Sequence, residues 1–204
     1  MKKRFFSLTV LLITAFVIIG GCGKQLSKEE IIEYINNDSL PIEEVRVSYA
    51  FDVSKLANKV GGSDYVFIGE VKDYIRTEYG FFDETPRTFY SVRVVENIKG
   101  ELIQDQDIEL RKTGGIDKKG KKFILYDYDY LPKLNNYYIF LVLTQANGGI
   151  EASGLNSSIL IPDKENYQDS EEYQKIIDAY LNQNEDIIER EKRQSIYDKN
   201  YGKQ

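Results

Sequence analysis

Histidine is absent from this chain of 204 residues, and cysteine occurs only once, at position 22. Without an imidazole the chain cannot form a Ser-His-Asp triad, a histidine general base or a histidine-ligated zinc site. Without a second thiol it cannot form an internal disulfide, and a metal site would have to use oxygen ligands. We also find no catalytic motif, so we expect no enzymatic activity and no cofactor.

The most apolar run of the chain lies at its start. Met1–Arg4 contains three basic residues, Phe5–Ile19 carries no charge, and Gly20-Gly21 ends the run just before Cys22. This order of basic, apolar and small residues is typical of a secretory signal peptide. A membrane-spanning helix usually needs about 20 apolar residues, so a stop-transfer anchor is the less favoured alternative.

The four residues Ile19-Gly20-Gly21-Cys22 resemble the lipobox of bacterial lipoproteins, in which an aliphatic residue and two small residues precede a cysteine. The resemblance implies cleavage before Cys22 and a diacylglyceryl thioether on its sulfur. In many hosts palmitate or a similar acyl chain is also added to the new amino group. Two or three acyl chains hold a protein durably to a membrane. An ordinary signal peptide that ends at a cysteine is the alternative.

These residues predict a protein anchored by lipid to the extracytoplasmic face of the cell membrane, and the abundance of Lys, Ile, Asn and Tyr favours a Gram-positive host. The full chain has a net charge of −6, and removal of the three basic residues of Met1–Arg4 changes it to −9. Such an acidic body is repelled by phosphate backbones, so we expect no nucleic-acid partner. The expected partners are the membrane, through Cys22, and an envelope protein or a wall polymer.

The mature chain begins with elements of mixed type. Residues 28–36 have an apolar stripe behind a serine and a glutamate with capping-box spacing, which predicts a helix. Residues 43–51 alternate as a strand does, and residues 53–60 have helical spacing before Gly61-Gly62.

The middle of the chain has the alternating pattern of antiparallel strands. Residues 65–76, 88–99 and 107–113 alternate, with Gly69 placed as at a bulge. Residues 137–144 are apolar throughout, which predicts a strand buried on both faces. The predicted fold class is therefore mainly β with flanking helices.

Four short stretches in this region resemble the netrin/TIMP-like branch of the OB-fold proteins. They are Ser63–Val71, Tyr90–Val94, Ile98–Gly100 and Tyr137–Val142. The resemblance implies a small antiparallel OB-like barrel over about residues 63–161, which would bind through one face and its loops. Family members that inhibit metalloproteases use a free N-terminal cysteine. We do not expect that activity here, because Cys22 is predicted to be acylated.

An amphipathic pattern follows the strands and predicts a C-terminal helix, with Tyr173, Ile176 and Tyr180 on one stripe. Most of the residues after position 182 are charged, which predicts a loosely held helical tail. The expected organisation is a signal peptide (1–21), a tether with short helices and a strand (22–62), an OB-like barrel (63–162) and a helical extension (163–204).

Two neighbouring runs are the candidate binding surface, and their residues are Lys118, Lys119, Lys121, Lys122, Tyr126, Tyr128 and Tyr130. The lysines lie in a glycine-punctuated hairpin loop and could meet lipid headgroups or an acidic polymer. The tyrosines could form a stacking surface. The simpler alternatives are a solvated loop and a half-buried strand. Asp127 and Asp129 could contact a hard cation, but no calcium-loop spacing is present.

We therefore expect a membrane-tethered, non-enzymatic binding or interaction module. The alternative is a carboxylate-dependent hydrolase acting on cell-envelope polymers, which requires two carboxylates about 5–10 Å apart in one pocket. Glu70 and Glu96 are one candidate pair on neighbouring predicted strands. A purely structural envelope component is a third hypothesis.

Overall fold

The structure is a computed structural model that describes residues 26–81, 84–189 and 191–203. Cys22 and the predicted signal peptide lie outside the described residues. The described residues contain three α-helices, nine strands in two sheets and one short 3-10 turn. The elements are α1 (Lys28–Asn37), β1 (Ile42–Val45), α2 (Leu56–Gly62), β2 (Tyr65–Tyr79), β3 (Pro86–Lys99), β4 (Asp107–Thr113), β5 (Gly115–Ile116), β6 (Phe123–Tyr126), β7 (Tyr137–Thr144), β8 (Ile150–Ala152), β9 (Ser158–Ile161), the 3-10 turn (Tyr167–Asp169) and α3 (Glu171–Leu181).

The six-stranded sheet has a closed ring of strand pairings. Strand β2 pairs antiparallel with both β3 and β7, and β3 pairs antiparallel with β4. Strand β8 is parallel to β4 and antiparallel to β7, so the pairings return to β2. Strand β9 extends the sheet from the other side of β7.

Apolar side chains fill the space inside this ring. Phe67 and Phe140 are fully buried there, with Tyr90 and Leu110. Gly69 lies at a register shift in β2, as expected, and an added Cβ would come within 2.5 Å of Val92 Cγ1. A side chain at this position would therefore displace the interior packing.

The outer faces of β2 and β7 are also buried. Val66 and Ile68 of β2 and Ile139 of β7 pack against α2 and α3, where Val60 and Ile176 are fully buried. Strand β7 therefore has apolar contacts on both faces, which confirms the prediction for residues 137–144. Full burial of each such side chain contributes about 1.5–3 kcal/mol.

A smaller sheet and α1 form a third cluster. Strand β1 runs parallel to β6, and β5 runs antiparallel to it. Ile35 of α1 packs with Phe123 and Leu125 of β6. The helix begins at the predicted capping box, in which Ser27 Oγ accepts from Glu30 N at 3.2 Å and Ser27 N donates to Glu30 Oε2 at 2.9 Å.

Several predicted boundaries differ from the structure. The strand predicted over residues 43–51 is limited to β1, and the Val47 N–H donates to the Asp127 side chain instead of a neighbouring strand. Helix α2 begins later than predicted and includes Gly61-Gly62. The chain is irregular after α3, so the helical tail predicted beyond residue 182 is not present in the described residues. None of the helices in the described ranges has the length and apolar character needed to cross a bilayer.

Candidate functional site

A polar cleft of about 320 Å³ lies on the outward face of β2, β3 and β4. In each of these strands the inward residues, such as Tyr90 and Leu110, fill the ring, so alternate residues face outward. Arg76, Phe89 and Arg111 are directly opposite one another across the three strands. Strand pairing therefore places two cations on either side of one aromatic ring.

The guanidinium of Arg76 is held in one orientation by two carboxylates. Its Nη1 donates to Glu109 Oε2 at 2.6 Å, its Nη2 donates to Glu109 Oε1 at 3.0 Å, and its Nε donates to Glu78 Oε1 at 2.7 Å. Its Cζ lies 3.9 Å from the centroid of the Phe89 ring, a cation–π distance. The bonds to Glu109 and then Glu78 raise the pKa of Arg76, so the cation is permanent.

The second arginine is anchored deeper in the same cleft. Arg111 Nη2 donates to Glu151 Oε2 at 2.5 Å, and Glu151 also accepts from Thr113 Oγ1 at 2.7 Å. The side chains of Arg111 and Glu151 are 27 and 13 per cent exposed. This pair is therefore less accessible than Arg76, whose side chain is 41 per cent exposed.

The C-terminal segment forms one wall of the cleft. Ile196 and Tyr197 line it, and the Tyr197 hydroxyl accepts from the Glu109 backbone N–H at 3.3 Å. Ser195 fixes the segment, because its N–H donates to Tyr65 Oη at 2.9 Å and its Oγ donates to Gly148 O at 2.9 Å. This wall is consequently part of the folded body, although a helical tail was predicted there.

The structure brings four of the seven residues of the predicted binding surface together at a separate groove. Lys118, Lys119, Lys122 and Tyr126 line a groove of about 500 Å³. Lys118 Nζ lies 3.0 Å from Glu84 Oε1, Lys122 pairs with Glu43, and Tyr126 Oη donates to Thr85 Oγ1 at 3.2 Å. Much of the positive charge of the loop is therefore balanced locally.

The other two tyrosines point elsewhere, because Asp127 and Tyr128 have left-handed backbone angles (φ of 46° and 60°) that end β6. Tyr128 is 74 per cent exposed. The Tyr130 hydroxyl donates to Ser158 O at 2.5 Å and accepts from Leu160 N at 3.1 Å, so it covers the open edge of β9. Lys121 is not among the residues that line the groove.

The two aspartates between these tyrosines already have protein partners. Asp127 accepts the Val47 N–H, and Asp129 binds the buried Lys112 Nζ through both carboxylate oxygens. Within residues 26–81, 84–189 and 191–203 no cluster of three or more Asp, Glu, His or Cys could hold a metal ion.

Glu70 and Glu96 are likewise engaged separately. Glu70 pairs with Lys72 at 3.2 Å, whereas Glu96 accepts from the hydroxyls of Tyr167 and Tyr173 at 2.7 and 2.8 Å. Burial, followed by the bond to Glu96, raises the pKa of each tyrosine to about 12. These tyrosines join the 3-10 turn and α3 to β3, which is a packing role.

Sequence reasoning did not select the cleft residues. Arg76 lies 33 residues before Glu109, and Arg76, Glu109 and Arg111 each occupy an ordinary outward position of an alternating strand. Arg76 and Glu109 have opposite charges and could therefore form an ion pair. Whether they meet depends on the strand register, which the sequence alone does not give.

Comparisons with known proteins add no residue to this site. No model of a known protein family matches the sequence, and no curated protein matches it significantly. The candidate site is therefore defined by the geometry of the described residues.

Proposed function

We propose that the chain is a lipid-anchored, extracytoplasmic binding module that holds an envelope protein through the cleft beside Arg76. The anchor rests on the lipobox-like residues that end at Cys22. A protein fixed in this way meets partners that are also confined to the cell surface. A wall polymer is the other expected occupant.

The strand pairings support an OB-like barrel for this module. Five strands close in the order β2–β3–β4–β8–β7, with a parallel pairing only between β4 and β8. OB folds bind on the face of their second and third strands and on adjacent loops. Here those strands are β3 and β4, and the cleft is also lined by Gln145, Asn147 and Gly149 of the β7–β8 connection.

One observation carries the choice of a protein partner. The guanidinium of Arg76 lies over the Phe89 ring in the cleft and is hydrogen-bonded to two carboxylates. Arginine and aromatic side chains are enriched at the centres of protein interfaces. Because Glu78 and Glu109 hold Arg76 over the Phe89 ring, little rotamer freedom is lost when a partner binds. A carboxylate of the partner would complement Arg76 by exchanging with Glu78, while an apolar side chain would contact Ile196.

The same carboxylates bear on the alternative of a wall hydrolase. Glu78 and Glu109 share the cleft, as that hypothesis requires, but both bond to Arg76. Both carboxylates are thus used to hold an arginine in place, whereas a glycoside hydrolase directs its two carboxylates at the substrate. The arrangement therefore favours binding over hydrolysis.

The proposal is tested by chemical crosslinking on intact cells followed by mass spectrometry. Arg76→Ala should remove the crosslinked partner, since loss of an interface arginine costs about 2 kcal/mol or more, roughly a 30-fold loss of affinity. Arg93→Ala is the matched control, because Arg93 lies on β3, pairs with Asp107 at 2.7 Å and is outside the cleft. Equal crosslinking by both variants would show that the partner does not bind at the cleft beside Arg76.

The anchor has its own test. Cells fed an alkyne analogue of palmitate should label the wild-type chain and leave Cys22→Ser unlabelled. Labelling of Cys22→Ser at the wild-type level would show that Cys22 is not the acylated residue.

A further inference from the structure

Lys59 lies in the middle of α2, beside a small apolar cavity of about 90 Å³. The apolar side chains around it are Phe51, Leu141, Leu143 and Ile188. The cavity is separate from the cleft and from the lysine groove. It places a primary amine next to a pocket that would accept a short hydrocarbon chain.

The amine has one direct partner, the carbonyl of Ser153, which accepts from Lys59 Nζ at 2.9 Å. Among the described residues no carboxylate lies within ion-pair distance of it. Charged groups of three other segments surround it. Lys112 of β4 and Asp129 of the β6–β7 connection act on its charge, and Glu151 of β8 lines the same cavity. Asp129 and Glu151 are bonded to Lys112 and Arg111, so neither pairs with Lys59 directly.

These surroundings favour the neutral amine. Burial, followed by the charge of Lys112, lowers the pKa of Lys59 to about 8, against a partial opposing effect of Asp129. At pH 7 its neutral fraction is roughly 300-fold larger than that of a lysine with the ordinary pKa of 10.5. Only a neutral amine has the lone pair that attacks a carbonyl carbon.

We infer that Lys59 is a reactive-amine site that condenses with small apolar aldehydes held in the adjoining cavity. The lone pair of Nζ adds to the carbonyl carbon, and a proton moves from nitrogen to oxygen to give a carbinolamine. Loss of the hydroxyl group together with the remaining N–H proton, as water, then gives an imine. The step is reversible and needs no oxidant, reductant or further reactant.

The experiment uses the purified chain, a limiting amount of propionaldehyde and sodium cyanoborohydride, with each lysine quantified by mass spectrometry over time. At pH 7 Lys59 should be alkylated on the order of tenfold faster than Lys72, which is paired with Glu70 at the surface. The rate at Lys59 should level off above about pH 8, where its amine is already neutral. Similar rates at the two lysines, or no levelling near pH 8, would overturn the inference.

Two variants separate the amine from the cavity. Leu143→Trp should fill the cavity and slow the alkylation of Lys59 about tenfold, while Lys72 reacts as before. Lys72→Arg is the matched control and should leave Lys59 unchanged. If Leu143→Trp did not slow Lys59 with propionaldehyde, the cavity would not hold the aldehyde. In every variant, circular dichroism should match the wild type, so that exposure by unfolding is distinguished from true reactivity.

Discussion

Replacing Asp129 with alanine should destabilise the fold by about 3–5 kcal/mol, because it leaves the ammonium group of Lys112 buried without a counter-ion. The side chains of Lys112 and Asp129 are 0 and 2 per cent exposed. Lys112 Nζ donates to Asp129 at 2.8 and 2.6 Å and to Ser157 Oγ at 2.6 Å, so its three donors are satisfied.

The size of this effect distinguishes charge burial from the loss of one hydrogen bond. Ser157→Ala removes one acceptor from Lys112 but leaves its counter-ion, and should cost less, about 1–3 kcal/mol. Burial already lowers the pKa of Lys112, and without Asp129 the amine would be driven further towards its neutral form. Release of that proton limits the cost, which is why we expect a few kcal/mol and not the full Born energy of a buried ion.

The assay is urea unfolding followed by tyrosine fluorescence, since the chain has 16 tyrosines and no tryptophan. The double variant Lys112→Met/Asp129→Leu should be clearly more stable than Asp129→Ala, because it removes both charges together. Asp107→Ala is the control, as it breaks the exposed pair with Arg93 and should cost at most about 1 kcal/mol. A loss below 1 kcal/mol for Asp129→Ala, or no recovery in the double variant, would refute this account.

Three further predictions concern pH and local contacts. Between about pH 8 and pH 10 the unfolded chain keeps a proton that folded Lys59 has lost, so the unfolding free energy should rise by up to about 2 kcal/mol in urea titrations. In Lys59→Met the rise between pH 8 and pH 10 should be smaller by about that amount, and an unchanged rise would show that another group causes it. Above pH 10 the unfolding free energy should fall, because burial raises the pKa of Tyr90 and its hydroxyl therefore ionises first in the unfolded chain. Ser27→Ala should cost about 1 kcal/mol by removing the cap of α1, whereas Ser27→Asp should keep most of it; equal losses would contradict capping. Tyr65→Phe removes the bonds to Ser195 N and Asp198 Oδ2, and should speed tryptic cleavage of the C-terminal segment; an unchanged rate would show that other contacts hold it.

Much of the sheet could be predicted because its strands bury one or both faces. A strand buried on one face has alternating apolar and polar residues, and a strand buried on both faces has a continuous apolar run. The turn that ends β6 could not be predicted, because Asp127 and Tyr128 adopt left-handed backbone angles. Aspartate adopts this conformation without a distinctive sequence signal, and tyrosine rarely adopts it. The late start of α2 is similar, because Val53 is buried by contacts outside a helix although it has helical spacing. In both places long-range contacts decided between local conformations of similar energy.

The candidate site shows the same limit more strongly. Lys118 and Lys122 are close in sequence and were visible as a loop, but their carboxylate partners Glu84 and Glu43 come from distant elements. Arg76 and Glu109 meet only because β2, β3 and β4 pair in one register. Charged residues that are neighbours in sequence can be recognised from the sequence alone. The charged residues of the cleft are distant in sequence and become neighbours only when the strands pair.

The residues just before α1 place the lysine-containing loop near the predicted anchor at Cys22. Leu26 packs on Gly120, whose added Cβ would lie 2.9 Å from Leu26 Cδ1. Leu26 is the fourth residue after Cys22, and four residue steps span at most about 14 Å. If Cys22 carries lipid, the loop containing Lys118, Lys119, Lys121 and Lys122 would therefore stand close to the bilayer. Lys118 and Lys122 pair with carboxylates, so Lys119 and Lys121 would supply the charge that offsets the repulsion between the acidic body and anionic headgroups on that side. That repulsion is screened beyond about 8–10 Å. The lysine loop would then orient the body on the membrane, and the cleft would be the surface left to select a partner.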